Sequence, residues 1–142
     1  MSPGFTGAEI ENLVNTAITE AVHKFKYYFK ANICRDFADM KDFEYARDRI
    51  MMGIERKKLS MPEKDRLNTA VHESGHTIVS YFTPAAMKLY KTTIVARGGS
   101  LGATYMTPEE NDNISTTKEK ILARIDVAMG GHVAEKIFIG SG

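Results

Sequence analysis

The feature that most restricts the fold of this chain is an apolar-patterned stretch that begins at Pro62 and ends before Pro84. Proline suits the first turn of a helix, and the residue before a proline is disfavoured in helix, so a helix is predicted from about Glu63 to Phe82. Its apolar residues recur at helical spacing and share one face: Leu67, Ala70, Val71, Ile78 and Val79. The chain therefore folds around at least one long amphipathic helix.

This helix carries His72-Glu73-Ser74-Gly75-His76, an H-E-x-x-H motif. Two histidines four residues apart on a helix project from one face, where their neutral nitrogens can bind a single metal ion. The carboxylate of Glu73 can reach a water on that metal without being a ligand, and it can act as a general base. Zinc lowers the pKa of such a water and polarises a carbonyl, which is the chemistry of peptide-bond hydrolysis. The alternative interpretation is two structural histidines on an ordinary helix.

Two histidines do not complete a catalytic zinc site, because such sites use three protein ligands. The metzincin continuation of the motif is excluded, since Val79 and Phe82 stand where that class needs glycine and histidine. The remaining acids and histidines have no spacing that favours one of them, and a lone histidine is more often structural. The candidates that stay open are Glu109, Glu110, Asp112, Glu119, Asp126, Glu135, His23 and His132.

Two more helices are predicted before this one. The first runs from about Thr6 to Ala31, because Thr6 and Glu9 can form a capping box ahead of an apolar face. The second runs from about Lys41 to Gly53 and ends at a glycine, which is a favoured helix stop.

Beyond Pro84 the pattern changes its period. Short β-branched segments predict strands from Lys91 to Ala96 and from Leu101 to Met106, which can pair as a hairpin. A fourth helix is predicted from about Thr116 to Ile139, capped by Ser115. Its Gly130-Gly131 pair costs about 1 kcal/mol per glycine relative to alanine, unless close packing against another backbone offsets the loss. The fold class is therefore mainly α with a small β-hairpin.

Composition bounds the partners of the chain. Hydrophobic residues make up 43% and charged residues 26%, which is typical of a soluble globular protein. The net charge of +1 gives no argument for a nucleic-acid partner or an anionic membrane. The basic run Arg56-Lys57-Lys58 is too short for a nucleic-acid patch and is interpreted as a solvated linker at a domain boundary near residue 58. The single cysteine, Cys34, excludes an intrachain disulfide, and no apolar run approaches the ~18 residues of a membrane-spanning helix.

Five segments of the chain follow one another in an order typical of a single enzyme family. In chain order they run from Gly4 to Asn15, from Asp42 to Lys57, from Val71 to His76, from Lys91 to Gly102 and from Met129 to Glu135. Together they resemble the FtsH-type AAA proteases, which are membrane-anchored, ATP-driven zinc metallopeptidases, and especially their mitochondrial i-AAA branch. The resemblance implies a helical AAA lid remnant over residues 1–57. It also implies that residues 58–142 are the first part of a helical H-E-x-x-H metallopeptidase domain.

The resemblance also implies roles for matched residues. His72 and His76 match the zinc ligands, Glu73 matches the catalytic base, and Glu135 matches a nearby acid that can orient a ligand histidine. Residues of the lid turn that lies against the bound nucleotide are matched by Gly7 and Ala8. The edge strand that receives extended substrate through backbone hydrogen bonds is matched by Thr92, Thr93, Ile94 and Val95.

The chain also departs from the family pattern. Ala96 and His132 replace a proline and an arginine. The third zinc ligand of the family is an aspartate in a G-A-S-x-D motif, which we expect beyond Gly142. The ATP-binding motifs and the membrane anchor are expected upstream of Met1. We therefore expect a fragment cut at both sides, which binds zinc weakly and is inactive by itself.

The resemblance implies a parent enzyme with zinc and ATP as cofactors. This parent would be a homo-hexamer of the mitochondrial inner membrane, with its protease facing the intermembrane space, and it would degrade unfolded or membrane proteins. A bacterial or plastid membrane is the alternative location. The alternative function is a truncated, catalytically inactive helical module that only mediates binding or oligomer contacts.

Overall fold

The computed structural model describes residues 4–29, 37–56, 60–107 and 116–140. Four helices and one two-stranded antiparallel sheet follow the order α1 Gly7–Phe29, α2 Met40–Met52, α3 Glu63–Phe82, β1 Lys88–Thr93, β2 Ala103–Thr107 and α4 Lys118–Phe138. This confirms the predicted fold class of mainly helix with a small hairpin. The chain divides into two compact units, Met1–Ile54 and Glu55–Gly142. In the part that the structure describes, no helix combines the length and the apolar character needed to cross a membrane.

The first helix begins at the capping box that the sequence predicts. The Thr6 backbone N–H donates to Oε2 of Glu9 at 2.7 Å, and the Glu9 backbone N–H donates to Oγ1 of Thr6 at 3.3 Å. The hydrogen bond from the Thr6 backbone N–H, and after it a second one of 2.9 Å from the Thr6 hydroxyl to Oε2, lower the pKa of Glu9 below its ordinary value. The predicted end of this helix, at Ala31, lies outside the described residues.

The second helix has a capping box as well, formed by Asp39 and Asp42. It ends at Gly53, whose φ of 83° is one that L side chains rarely adopt and whose N–H donates to the Arg49 carbonyl at 3.1 Å. Asp42 is fully buried, and it accepts a hydrogen bond of 2.9 Å from Nζ of Lys24 on α1. That bond raises the pKa of Lys24. Two small side chains of this unit, those of Ala17 and Ala46, are also fully buried.

In the second unit, α3 has the predicted bounds, but β1 does not. The prediction placed this strand from Lys91 to Ala96, whereas the structure has it at Lys88–Thr93. Ile94 and the two residues after it lie outside the strand for a local reason. The Val95 N–H donates to Oγ1 of Thr93, and the Ala96 carbonyl accepts from the Arg56 N–H, so these groups are bonded away from the hairpin.

The second strand is also displaced, since it covers Ala103–Thr107 and not Leu101 to Met106. The register pairs Thr92 with Thr104 and Thr93 with Ala103, which fixes the hairpin.

The cap of α4 differs from the prediction. Thr117 has the extended backbone of an N-cap, and its hydroxyl accepts from the Lys120 N–H at 3.4 Å. The prediction of Ser115 as the cap is therefore wrong, and Ser115 itself lies outside the described residues. The hydroxyl two residues later in the sequence has the geometry that capping needs.

Candidate metal centre

The site is built on a crossing of α3 and α4 at which glycines replace side chains. A Cβ added to Gly75 would lie 2.3 Å from the Gly130 carbonyl oxygen, and one added to Gly130 would lie 2.8 Å from the Gly75 carbonyl oxygen. Both glycines are buried, so the two backbones are in direct contact. Gly130 therefore has the close contact with another backbone that can offset the cost of a glycine inside a helix.

The crossing leaves room for two imidazoles that point at each other. Nε2 of His72 and Nε2 of His76 are 2.9 Å apart, and the ring planes meet nearly at right angles. Gly131 lies beside both rings, because a Cβ there would be 2.7 Å from Cε1 of His72 and from Nε2 of His76. Any side chain at this position would displace the pair.

The outward nitrogens of the two rings are held by groups on α4. Nδ1 of His72 is 2.8 Å from Oε1 of Glu135, and Nδ1 of His76 is 2.7 Å from the carbonyl oxygen of Val127. A carbonyl and a carboxylate only accept hydrogen bonds, so in neutral rings both Nδ1 atoms carry the proton. Each Nε2 then presents a lone pair to the other, and two lone pairs at 2.9 Å repel unless a cation lies between them.

This donor set fits a zinc ion. Neutral imidazole nitrogens are preferred zinc ligands, and ligand histidines normally donate their other N–H to a carboxylate or a backbone carbonyl. Here one histidine has each kind of partner. The residues present would thus serve as two ligands of a zinc site.

A third ligand is not found among residues 4–29, 37–56, 60–107 and 116–140, which contain no group of three histidine, cysteine or acidic side chains suited to a metal. Glu135 is bonded to His72. His23, Glu119, Asp126 and His132 are exposed. The other three candidates, Glu109, Glu110 and Asp112, lie outside the described residues.

Glu73 lies on the turn of α3 between the two histidines and is 8% exposed. Its Oε2 accepts a hydrogen bond of 2.7 Å from Oγ1 of Thr104 on β2. Beside it opens a cavity of about 410 Å³, lined mainly by small and apolar residues and also by His76 and Arg124. The carboxylate is thus held next to the histidine pair and faces a space that can admit another molecule.

The other predicted site residues lie in different surroundings. Thr92 and Thr93 belong to β1, and Thr92 turns its hydroxyl toward α3, where it is 2.6 Å from Oγ1 of Thr77. Ile94 and Val95 follow the strand and are exposed. The two residues predicted to lie near a nucleotide, Gly7 and Ala8, form the exposed first turn of α1 in the first unit.

Sequence reasoning missed Thr104 and the contact that Gly131 makes with the two imidazoles. Thr104 contacts Glu73 across 31 positions of the chain, a pairing that only the hairpin register creates. Gly131 carried one available signal, because a second consecutive glycine in a helix needs a packing reason.

Known zinc proteases are similar to this chain in sequence. The sequence model of peptidase family M41 matches residues 59–142. The human ATP-dependent zinc metalloprotease YME1L1 is 42% identical over 138 residues, which are 97% of this chain and 17% of that protein. The Saccharomyces cerevisiae mitochondrial inner membrane i-AAA protease supercomplex subunit YME1 is 42% identical over 139 residues, 98% of this chain and 17% of that protein.

A bacterial relative is similar to the same degree. The ATP-dependent zinc metalloprotease FtsH of Myxococcus xanthus is 40% identical over 136 residues, which are 96% of this chain and 20% of that protein. The chain therefore spans about a fifth or less of the length of these curated relatives.

Proposed function

This chain belongs to peptidase family M41, the FtsH-type metalloproteases, and we propose that it supplies the zinc-binding helix and the general base of an ATP-dependent zinc endopeptidase. The observation that carries the proposal is the histidine pair itself. Two Nε2 atoms converge while both Nδ1 atoms are bonded elsewhere, directly beside a buried glutamate.

The chain's own residues divide the work of the reaction. His72 and His76 would hold the zinc ion, which when bound polarises the scissile carbonyl and makes a water more acidic. Glu73 takes a proton from the attacking water and returns it to the leaving amine nitrogen. Glu135 fixes the ring of His72 and keeps its proton on Nδ1, so that Nε2 stays free for the metal.

The remaining parts of the enzyme come from the resemblance. The third ligand would be an aspartate outside these residues. Residues 1–57 would be a helical AAA lid in which Gly7 and Ala8 lie near the nucleotide, and ATP would be bound mainly by an AAA core outside these residues. The support is that the relatives are named ATP-dependent, and that their similarity to this chain covers nearly all of it.

Assembly, substrates and location are proposed on the same basis. The enzyme would be a homo-hexamer that degrades unfolded or membrane proteins. Its location would be the mitochondrial inner membrane, which the name of the yeast relative supports. The protease would face the intermembrane space. The bacterial relative keeps a bacterial membrane as the alternative.

A second candidate function is a catalytically inactive helical module that only mediates binding or oligomer contacts. The observation that favours it is that the described residues provide two metal ligands and no third.

Metal content and proteolysis decide between the two functions. Zinc is measured by mass spectrometry, and casein digestion is followed with and without EDTA, for this chain and for the whole polypeptide that contains it. We expect the whole polypeptide to bind zinc and to cleave casein until EDTA is added, and Glu73→Gln to abolish cleavage while zinc is retained. Glu63→Gln, on the exposed first turn of the same helix, is the matched control and should leave cleavage unchanged.

For this chain alone we expect weak zinc binding, no casein digestion and no ATP hydrolysis. EDTA-sensitive digestion by the chain alone, abolished in Glu73→Gln, would mean that one of its own acids completes the site. A whole polypeptide without zinc-dependent cleavage would favour the inactive module.

A further inference from the structure

The carboxylate of Glu73 is fixed from the strand side by Thr104. Oγ1 of Thr104 donates to Oε2 of Glu73 at 2.7 Å and also lies 3.2 Å from the Glu73 carbonyl oxygen. Oε1 accepts no hydrogen bond from the described residues. One oxygen of the carboxylate is therefore anchored, and the other remains available for a proton.

The strand reaches this glutamate because Gly102 lets it approach. A Cβ on Gly102 would lie 2.5 Å from Cγ2 of Thr69 and 3.1 Å from Cγ of Glu73. The hydroxyl of Ser100 donates to the Gly102 carbonyl, which fixes the backbone just before β2. The chain that leads into β2 thus passes directly against α3, at the turn that carries Glu73.

A second threonine contact holds the hairpin at the same place. Thr92 of β1 is the register partner of Thr104, and its hydroxyl is 2.6 Å from that of Thr77 on α3. The Thr77 hydroxyl is in turn 2.9 Å from the Glu73 carbonyl oxygen. Both strands are therefore bonded to one turn of α3, and Thr104 occupies a fixed position relative to the glutamate.

We propose that Thr104 is the positioning residue of the general base, holding the Glu73 carboxylate in one rotamer beside the histidine pair. This rests on the proposed peptidase function. A glutamate side chain released from this bond samples other rotamers, and a base displaced by about 1 Å loses up to about 100-fold in rate. Thr104 acts through orientation alone, so it affects the chemical step and leaves substrate and zinc binding unchanged.

The test uses Thr104→Val, which keeps the shape of the side chain and removes the hydroxyl, and Thr104→Ser, which keeps the hydroxyl. Both are made in the whole zinc-loaded polypeptide that contains this chain, and kcat, KM and zinc content are measured with a fluorogenic peptide. Thr104→Val should lower kcat about 10- to 100-fold with KM and zinc content unchanged, and Thr104→Ser should restore most of the rate. Thr107→Val removes the same hydroxyl from the same strand and should behave as wild type.

The other possible results contradict the inference, and they show whether the role of Thr104 alone or the peptidase function as well is wrong. If Thr104→Val has the kcat of the wild type, Thr104 does not position Glu73, and the proposed peptidase function is unaffected. Loss of zinc in Thr104→Val, or failure of Thr104→Ser to restore the rate, means that the residue only supports the fold. Thr104→Ala is measured in parallel, so that the result does not depend on the folding of one variant. A wild type without EDTA-sensitive cleavage overturns the peptidase function and the inference together.

Discussion

The two helix pairs of this chain are held together by different means. Helices α3 and α4 meet backbone to backbone, through Gly75 and Gly130. Helices α1 and α2 instead bury small side chains and the carboxylate of Asp42, which is bonded to Lys24. The backbone contact between α3 and α4 fixes the distance between these helices, because helix backbones cannot move aside by changing a side-chain rotamer. The contact between α1 and α2 is made by side chains, which can adjust.

The two kinds of helix contact match the groups that each helix pair holds in place. On α3 and α4, three ionisable side chains approach within hydrogen-bonding distance around a potential metal position: His72, His76 and Glu135. Metal ligation tolerates errors of about 0.2 Å, which a rigid glycine contact can meet. On α1 and α2, Lys24 only has to compensate the charge of the buried Asp42 carboxylate, and a flexible lysine is sufficient for that.

The largest expected effect comes from filling the glycine contact. Gly75→Ala should lower the free energy of unfolding by about 3 kcal/mol, because its Cβ would overlap the Gly130 carbonyl, which is part of a helix backbone. Urea unfolding measures the total loss, and amide hydrogen exchange locates it in α3 and α4. Gly7→Ala is the control, because a Cβ there meets nothing within 4 Å. If Gly75→Ala is stabilising, as helix propensity alone would give, the backbone contact does not exist.

The next prediction concerns a substitution that should weaken zinc binding more than it lowers stability. Gly131→Ala should weaken zinc binding about 10- to 100-fold, because its Cβ would push both imidazoles apart. The loss of stability should be smaller than in Gly75→Ala, since histidine rings can rotate away and a backbone cannot. Competition with a chromophoric chelator measures the affinity. Gly99→Ala adds a Cβ in open space and should bind zinc as the unchanged chain does. Equal affinities for all three proteins would refute the assigned role of Gly131.

A smaller effect is expected in the other helix pair. Lys24→Met should cost about 1–2 kcal/mol, because it removes the cation that Lys24 places 2.9 Å from the buried carboxylate of Asp42. The side chain of Lys24 is 32% exposed, so solvent keeps the loss below that of a wholly buried pair. Hydrogen exchange should increase in α1 and α2 and not in α3 and α4, and Lys41→Met, at an exposed position of α2, is the control.

The pH dependence of this pair has a definite sign. The hydrogen bond to Asp42 raises the pKa of Lys24 above its ordinary value, so the lysine contributes fully at neutral pH. Its contribution is lost only as the pH rises through the raised pKa. A difference between Lys24→Met and wild type that persisted unchanged far above the raised pKa of Lys24 would contradict the ion pair.

The smallest effects concern the helix caps. Asp39→Ala should cost about 1 kcal/mol, because Asp39 and Asp42 cap α2 reciprocally. Thr117→Ala should cost about 0.5 kcal/mol, since its single hydrogen bond to the Lys120 N–H is long at 3.4 Å. Thermal unfolding measures both, and the reverse order would show that hydrogen-bond geometry does not set the strength of these caps.

Sequence reasoning predicted the helices more accurately than the strands, for a physical reason. A helix is bounded by local signals, such as Thr6 with Glu9 and the glycine at Gly53, which act within one turn. The register of β1 and β2 is set by contacts with α3, including Thr77 with Thr92, and these are distant in sequence. The predicted ends of the two strands therefore lie one to three residues from the observed ones.

In the candidate site as well, the motif residues close together in sequence were predicted, and two contacts from positions distant in sequence were not. The motif nominated His72, Glu73 and His76 because all three lie within five residues of one helix. Thr104 and Gly131 act on them from other elements, and nothing in their local sequence shows which side chains they meet. A sequence motif thus nominates the groups for the chemistry, and only the fold shows what holds them in place.

The supports of the two imidazoles also bear on the order of events during protein synthesis. His72 leaves the ribosome 63 residues before Glu135, and His76 leaves it 51 residues before Val127. Until α4 has been translated and has docked, either nitrogen of each ring can carry the proton. The nascent chain then offers only an ordinary histidine pair to passing metal ions. The ordered arrangement of both rings is therefore reached only at a late stage of translation, after α4 has been made.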